Sequence, residues 1–287
     1  MRVTIGLAPL HGPLVAKAVA DALAEDLGLA GDITTNATIP ADATVRANIR
    51  ARRPGTISGV TVARAAFHAL DPAIAFEVRR PDASSVEPGD VIADVTGNAR
   101  AILTGERVAL NFMGRMSGIA TLTRRYVEAV EGTGATIVDT RKTTPGLRAF
   151  EKYGVRCGGG MNHRVGLFDA VLIKDNHIVA AGGIDKAIAA ARALAGHMVK
   201  VEIEVDTLAQ LETVMRHDVD VVLLDNMTPD MLRKAVTMVA GRALTEASGG
   251  VNLDTVRTIA ETGVEFISVG ALTHSAPVLD LGLDVMD

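Results

Sequence analysis

Five nitrogenous side chains, Arg141, Lys142, His163, Arg164 and Lys174, crowd the middle of the chain, and two carboxylates, Glu204 and Asp225, follow them. A guanidinium fork matches a carboxylate with two parallel hydrogen bonds, which a lysine cannot do. Two arginines with a histidine and a lysine therefore suit a substrate with more than one anionic group. Between Thr140 and Arg164 stand Arg141, Lys142, Arg148, Lys152, Arg156 and Arg164, opposed only by Glu151, in a chain of net charge −5. A basic island in an acidic chain fits an anionic ligand and disfavours a nucleic-acid surface. Thr140-Arg141-Lys142 and Asn162-His163-Arg164 read as the borders of a basic, Gly-rich loop containing Gly158-Gly159-Gly160.

Lys174 closes the apolar run Val171-Leu172-Ile173. It can meet phosphate as a point charge, form a Schiff base as a desolvated amine, or simply pair with Asp175 or Glu204. Glu204 and Asp225 end neighbouring strands and so face one pocket. Such acids can bind ribose hydroxyls, hold Mg²⁺ through water or steady a cationic transition state. Glu202 lies on the same strand face one layer lower and reads as a buried structural partner. Ser248-Gly249-Gly250, read as leading into a helix, and Gly270-Ala271 after the next strand suit a phosphate, because glycine admits close approach and helix N-termini favour anions. Zinc-ligand spacing is absent, and neither His163 nor His177 joins a zinc-like cluster. His11, His68, His197, His217 and His274 read as surface or capping residues.

Elements must place these groups together. Six β-rich runs, Ala135–Asp139, Ala170–Lys174, Val199–Val205, Val221–Asp225, Ala243–Ala247 and Phe266–Val269, alternate with helical patterns such as Asp185–Leu194, Leu208–Arg216, Pro229–Val239 and Leu253–Glu261. That alternation predicts right-handed βα units around a parallel sheet. Polar residues end successive strands, as in an α/β barrel, whereas a doubly wound sheet gathers them at one switch point. No Gly-x-Gly-x-x-Gly follows the first strand, which weakens a dinucleotide-binding reading.

The first third reads as mixed α and β. A helix opens at Pro13 and ends near Gly28; strands fall at Thr44–Arg50, Thr56–Val60, Ile74–Arg79 and Val91–Val95, with a helix at Val62–Leu70. A long amphipathic helix from about Leu103 to Val130 is expected to break near Gly114 or Gly118. The sheet around Gly55–Val60 and Val91–Val95 has a biotinyl-carrier flavour but lacks an acceptor lysine. With 48% hydrophobic and 22% charged residues over 287 positions, the chain suits a large and a smaller globular domain. A single cysteine, Cys157, suits a reducing compartment, the stretch Met1–Leu10 is too short and broken for a secretory signal, and no apolar run reaches the roughly 20 residues of a membrane span.

Asp139–Arg148, Glu151-Lys152-Tyr153, Gly158–Gly160, Asn162-His163-Arg164 and Ile173–His177 resemble quinolinate phosphoribosyltransferase. The likeness also takes in Glu25–Gly28, Gly31–Thr35, Gly105–Arg107, Ser117–Thr121, Val201–Asp206, Leu224–Asn226 and Glu246–Gly250, in family order over nearly the whole chain. The resemblance implies an N-terminal α/β sandwich (residues 1–112 with 273–287) and an open, incomplete α/β barrel of about seven strands (113–272), of the type II phosphoribosyltransferase kind. It implies transfer of the phosphoribosyl group of phosphoribosyl pyrophosphate to quinolinate with decarboxylation, Mg²⁺ held mainly through pyrophosphate and water rather than by protein ligands, and a cytoplasmic location. It also implies a homodimer with a shared active site, further assembly being left open. By matching position, Arg141, His163 and Arg164 would grip the quinolinate carboxylates, Thr140 would also touch substrate, and Arg107 would reach in from the partner subunit. Lys142 and Lys174 would face phosphate oxygens and the reacting centre, and Glu204 and Asp225 the ribose hydroxyls. Ser248, Gly249 and Gly250 with Val269, Gly270 and Ala271 would cradle the 5′-phosphate. The chain departs from the pattern at Gly154, where alanine is usual, and over Met113–Met116. Two rival readings are a barrel aldolase using Lys174 and a transferase acting on nicotinate.

Overall fold

The computed structural model describes residues 7–286, so most of the stretch weighed as a secretory signal, and Asp287, lie outside the described residues. The first elements are α1 (Gly12–Leu27), α2 (Ile33–Thr38), β1 (Thr44–Ala51), β2 (Gly55–Thr56), α3 (Val60–Leu70), β3 (Ala75–Val78), β4 (Ser85–Val86), β5 (Val91–Asn98) and α4 (Ala99–Ala129). Then come β6 (Thr136–Val138), α5 (Arg148–Cys157), β7 (Val171–Ile173), α6 (Asp175–Ala181), α7 (Ile184–Leu194), β8 (Val201–Val205) and α8 (Leu208–Val214). The last are β9 (Val221–Asp225), α9 (Pro229–Val239), β10 (Leu244–Ser248), α10 (Val256–Ala260), β11 (Phe266–Ser268), α11 (Ala271–His274) and β12 (Leu281–Val285).

The chain forms two compact units. The first comprises residues 1–122, 149–159 and 276–287, and the second residues 123–148 and 160–275. In the first unit an antiparallel sheet runs in the order β12-β1-β5-β3, beside a small β2-β4 pair. α1 starts at a proline, buries Val15, Val19 and Leu23 along one stripe, and stops at Gly28, whose φ of 51° a side chain would resist. Asp32 caps α2 by accepting from the Thr35 N–H at 2.9 Å. The sequence shows no apolar stripe there, and this short helix was not foreseen. The expected strand Thr56–Val60 shrinks to β2, because Gly59 takes φ 98° and Val60 already begins α3. Arg52 grips Asp284 with both η nitrogens and fastens β12 to the unit.

α4 runs unbroken for 31 residues through both suspected break points. Its glycines answer to packing: a Cβ on Gly118 would lie 1.9 Å from the Pro277 carbonyl oxygen, and one on Gly114 would lie 3.0 Å from that of Leu279. The Leu279 N–H donates to the Gly114 carbonyl at 3.0 Å, so a later segment lies directly on the helix backbone. Gly154 serves the same end. It sits within α5, not in a loop, and a Cβ there would lie 2.9 Å from the Met116 carbonyl oxygen. The family's usual alanine would need the two helices to part slightly.

The second unit is built on a six-stranded parallel sheet ordered β6-β11-β10-β9-β8-β7. A helix follows each of β7, β8, β9, β10 and β11 in the chain, as the alternation predicted. Among the described residues β6 and β7 do not pair, so the barrel is open; beyond β6 a single parallel bridge, Val138 to Met161, stands in place of a seventh strand. Ile203, Val205, Val222, Leu224 and Ile267 are fully buried in its core. No helix is long and apolar enough to cross a membrane among the described residues.

Candidate active site

Most of the polar groups picked out in the sequence collect in the second unit, many of them at the C-terminal ends of its strands. Thr140, Arg141 and Lys142 follow β6, Lys174 follows β7, Glu204 stands near the end of β8, Asp225 and Ser248 end β9 and β10, and Val269 to Ala271 follow β11. Parallel strands point all these ends the same way, which is where barrel chemistry is done.

The loop after Met161 is tied to β6 by Asp139, which is fully buried. Its Oδ1 accepts from the His163 backbone N–H at 2.9 Å and its Oδ2 from Asn162 Nδ2 at 2.7 Å. Arg164 is thereby held near Arg141. Burial, and then the charge of Arg141, lowers the Arg164 guanidinium below its ordinary value. Arg164 Nη1 reaches the Ala170 carbonyl at 3.3 Å, while Arg141 Nε is buried without a hydrogen-bond partner. Two like charges held together with an unmet donor make a place for an anion.

Lys174 Nζ lies 2.9 Å from Glu204 Oε2; the lysine side chain is 49% exposed and the glutamate 13%. The amine is thus half in solvent and committed to a carboxylate, which is poor ground for a Schiff-base lysine. Its backbone N–H donates to His177 Nδ1 at 2.9 Å, so His177 serves the start of α6. Asp225 Oδ2 accepts from Asn226 Nδ2 at 2.5 Å, and the Asn226 N–H donates to the Ser248 carbonyl at 2.9 Å, joining the ends of β9 and β10.

Gly249 has φ 92°, and a Cβ there would lie 2.1 Å from Asn226 Oδ1. Glycine is required at this turn. The expected helix does not follow at once, however: Asn252 and Thr255 hold a turn and α10 begins only at Val256. The Ser248–Gly250 backbone is thus a tight turn, not a helix start. On the other side Lys142 lies over Gly270, whose Cβ would meet Lys142 Cδ at 3.1 Å, and Thr273 Oγ1 donates to the Lys142 carbonyl at 2.8 Å.

The structure corrects the basic loop. Residues 148–157 form helix α5, and Lys152 is buried in the first unit at 3% exposure. Arg156, on the same helix, donates to the Ala8 carbonyl at 3.0 Å. Of the six cations only Arg141, Lys142, Arg148 and Arg164 belong to the second unit. Arg107 lies on α4 in the first unit with its side chain 64% exposed, 3.9 Å from Glu106.

Glu202 is buried, as the pattern suggested, but its neighbour was missed. His163, Glu202 and Glu246 bring one nitrogen and two oxygens within 4.8 Å of one another, the one such group among the described residues. Glu246 sits in β10 between Thr245 and Ala247, and an acid inside an otherwise buried strand is the signal that could have revealed it.

Known proteins resemble this chain over nearly all of its length. Residues 119–284 match the model for "Quinolinate phosphoribosyl transferase, C-terminal domain", and residues 32–117 match the N-terminal domain of the same family. The chain is 45% identical over 269 residues to the nicotinate-nucleotide pyrophosphorylase [carboxylating] of Mycobacterium leprae, covering 92% of this chain and 94% of that one. It is 44% identical over 261 residues to a protein of Bacillus subtilis named as a probable enzyme of the same activity, covering 91% and 90%. The crystal structure of NadC from Streptococcus pyogenes superposes with a TM-score of 0.93 at 40% identity, over 98% of this chain and all of that one.

Proposed function

The chain belongs to the quinolinate phosphoribosyltransferase family, and from that premise we propose a role for each polar group at the strand ends. Its reaction joins quinolinate to phosphoribosyl pyrophosphate, releasing pyrophosphate and carbon dioxide and leaving nicotinate mononucleotide, a step in NAD biosynthesis. The observation that carries the assignment of roles is the Arg141–Arg164 pair, two mutually repelling guanidiniums that a dicarboxylate would reconcile. Nicotinate, with one carboxylate, would satisfy them only in part.

Arg141 and Arg164, with Thr140, hold the pyridine dicarboxylate so that its nitrogen faces C1 of the ribose, and the His163 ring, engaged by Glu202 and by the Arg164 N–H, sets the course of the backbone that carries Arg164. The Ser248–Gly250 and Val269–Ala271 backbones take the 5′-phosphate, with Lys142 alongside. Glu204 and Asp225 hold the ribose hydroxyls and favour the positive charge that develops on the sugar as the C1–oxygen bond breaks. Lys174, drawn to Glu204 in the unliganded chain, turns to the pyrophosphate oxygens. The ring nitrogen's lone pair becomes the new bond to C1, and pyrophosphate departs with the old bonding pair. The adjacent carboxylate then leaves as carbon dioxide, and the electron pair left on the ring carbon, stabilised by the cationic nitrogen, takes up a proton.

Mg²⁺ fits this site as a guest of the substrate. Glu204 and Asp225 offer hard oxygens, but both are already engaged by neighbours, and Mg²⁺ readily keeps waters while binding phosphates. When bound it neutralises charge on the departing pyrophosphate. We further assign Arg107 to the site of a second copy, the exposed Leu167 and Phe168 of the second unit to surface covered in a homodimer, and the cytoplasm as its compartment.

Arg141→Ala removes a two-pronged charged contact of about 3 kcal/mol, and quinolinate affinity falls roughly 100-fold. Calorimetry should show phosphoribosyl pyrophosphate affinity changed by less than threefold; equal loss of both contradicts the assignment. Mixing inactive Arg107→Ala and Arg141→Ala chains restores activity if the site is shared, because one pocket of each mixed dimer is then complete. A mixture that stays inactive removes the shared site.

A further inference from the structure

Glu202 and Glu246 are 5% and 4% exposed, and each keeps one carboxyl oxygen, Oε1, buried without a hydrogen-bond partner. His163 Nε2 lies 2.9 Å from Glu202 Oε2 and 3.7 Å from Glu246 Oε1. The arrangement has the ligand types of a metal site, but the other side of the ring argues against one. The Arg164 backbone N–H donates to His163 Nδ1 at 2.8 Å, which leaves the ring proton on Nε2, pointing at Glu202. The nitrogen that would bind a metal is already carrying hydrogen.

Two carboxylates this close in a dry place cannot both ionise. We propose that Glu246 stands as a neutral acid beside Glu202, and that the pair is a positioning device for quinolinate. Glu202 fixes the His163 ring, and the uncharged Glu246 keeps a second negative charge away from a pocket that must accept two more. The groups facing Glu246 agree. Glu202 on β8 and Asp139 after β6 disfavour its charge, while His163 and the Ser268 hydroxyl on β11 partly offset them. β9, hydrogen-bonded to β10, brings only apolar side chains opposite Leu244 to Ala247. Burial first, and Glu202 second, push Glu246 up to about 8.

The inference rests on the quinolinate reading, and its test separates the two. Steady-state kinetics of the full chain and of Glu246→Gln are measured from pH 6.5 to 9.5 with each substrate varied. Quinolinate KM of the unaltered chain should stay level near pH 7 and climb about tenfold per pH unit above the Glu246 ionisation, whereas Glu246→Gln shows no climb. KM for phosphoribosyl pyrophosphate should follow one course in both. Glu246→Ala should raise quinolinate KM at pH 7 at least tenfold, and the glutamine variant should recover it. Parallel climbs, or a glutamine variant no better than the alanine one, overturn the proposal. Infrared difference spectra against Glu246→Gln supply a readout independent of turnover: at pH 7 the unaltered chain should show the C=O stretch of a protonated carboxylic acid that the variant lacks. Absence of that band overturns the one-charge pair, whereas its presence in a chain that fails to turn over quinolinate upholds the pair and faults only the substrate.

Discussion

Glu246→Gln should change how stability depends on pH, apart from any effect on turnover. In the unfolded chain a glutamate ionises near 4.5, and in the folded unit burial and Glu202 hold Glu246 at about 8. Between those values the folded state keeps a proton that the unfolded state has lost. Stability from this group is therefore complete below pH 4.5 and declines as pH rises, by about 1.4 kcal/mol per pH unit, levelling off above the folded value. Glutamine has the shape of the neutral acid but no proton to lose, so its profile lacks the decline. Subtracting the two profiles cancels the titrating groups that do not interact with Glu246. Urea unfolding at pH 5, 6, 7, 8 and 9, followed by far-ultraviolet circular dichroism because the chain has no tryptophan, gives the difference directly. The variant should gain on the unaltered chain steadily from pH 5 to 8 and then run parallel. Curves parallel throughout, or separating only above pH 8, would refute a neutral buried Glu246.

Other consequences are as sharp. Gly118→Ala would raise helix propensity by about 1 kcal/mol at a free site, but against the Pro277 carbonyl it should cost about 3 kcal/mol net and lower the melting temperature by roughly 6–12 °C. Tyr153→Phe removes the 2.7 Å hydrogen bond to Asp82, whose carboxyl burial already raises, and should destabilise the first unit by about 1–3 kcal/mol in urea titrations. Asp225→Asn keeps the shape at the end of β9 and removes its charge. It should lower kcat by about 100-fold while leaving quinolinate affinity within threefold by equilibrium dialysis, and a purely structural role would show instead as a lowered melting temperature.

Much of the second unit was legible because its information is local. Short apolar runs closed by a polar residue, such as Val221-Val222-Leu223-Leu224-Asp225, name both a strand and the end at which it offers chemistry. What escaped depends on partners far along the chain. Gly114 and Gly118 look like helix breakers until Pro277 and Leu279 arrive to use the room they leave. α5 was hidden by its own cations, since Lys152 is buried despite its charge and the run reads as a basic, ligand-binding loop. Glu202 and His163 meet across 39 residues, and no spacing rule ties either to Glu246. The resemblance to a family supplied roles for Arg141 or Asp225, but it is silent on that acid pair.

The first unit is interrupted in sequence by the second, and this bears on its birth at the ribosome. Arg52 must wait for Asp284, 232 residues later, before β12 can close the side of β1. At ordinary elongation rates that interval is roughly 10–50 s, during which β1 is an edge strand, paired with β5 on one side and bare along the side that β12 will cover. Nascent chains halted before residue 281 should therefore be the species that chaperones hold and proteases cut, even when the parallel sheet between has already formed.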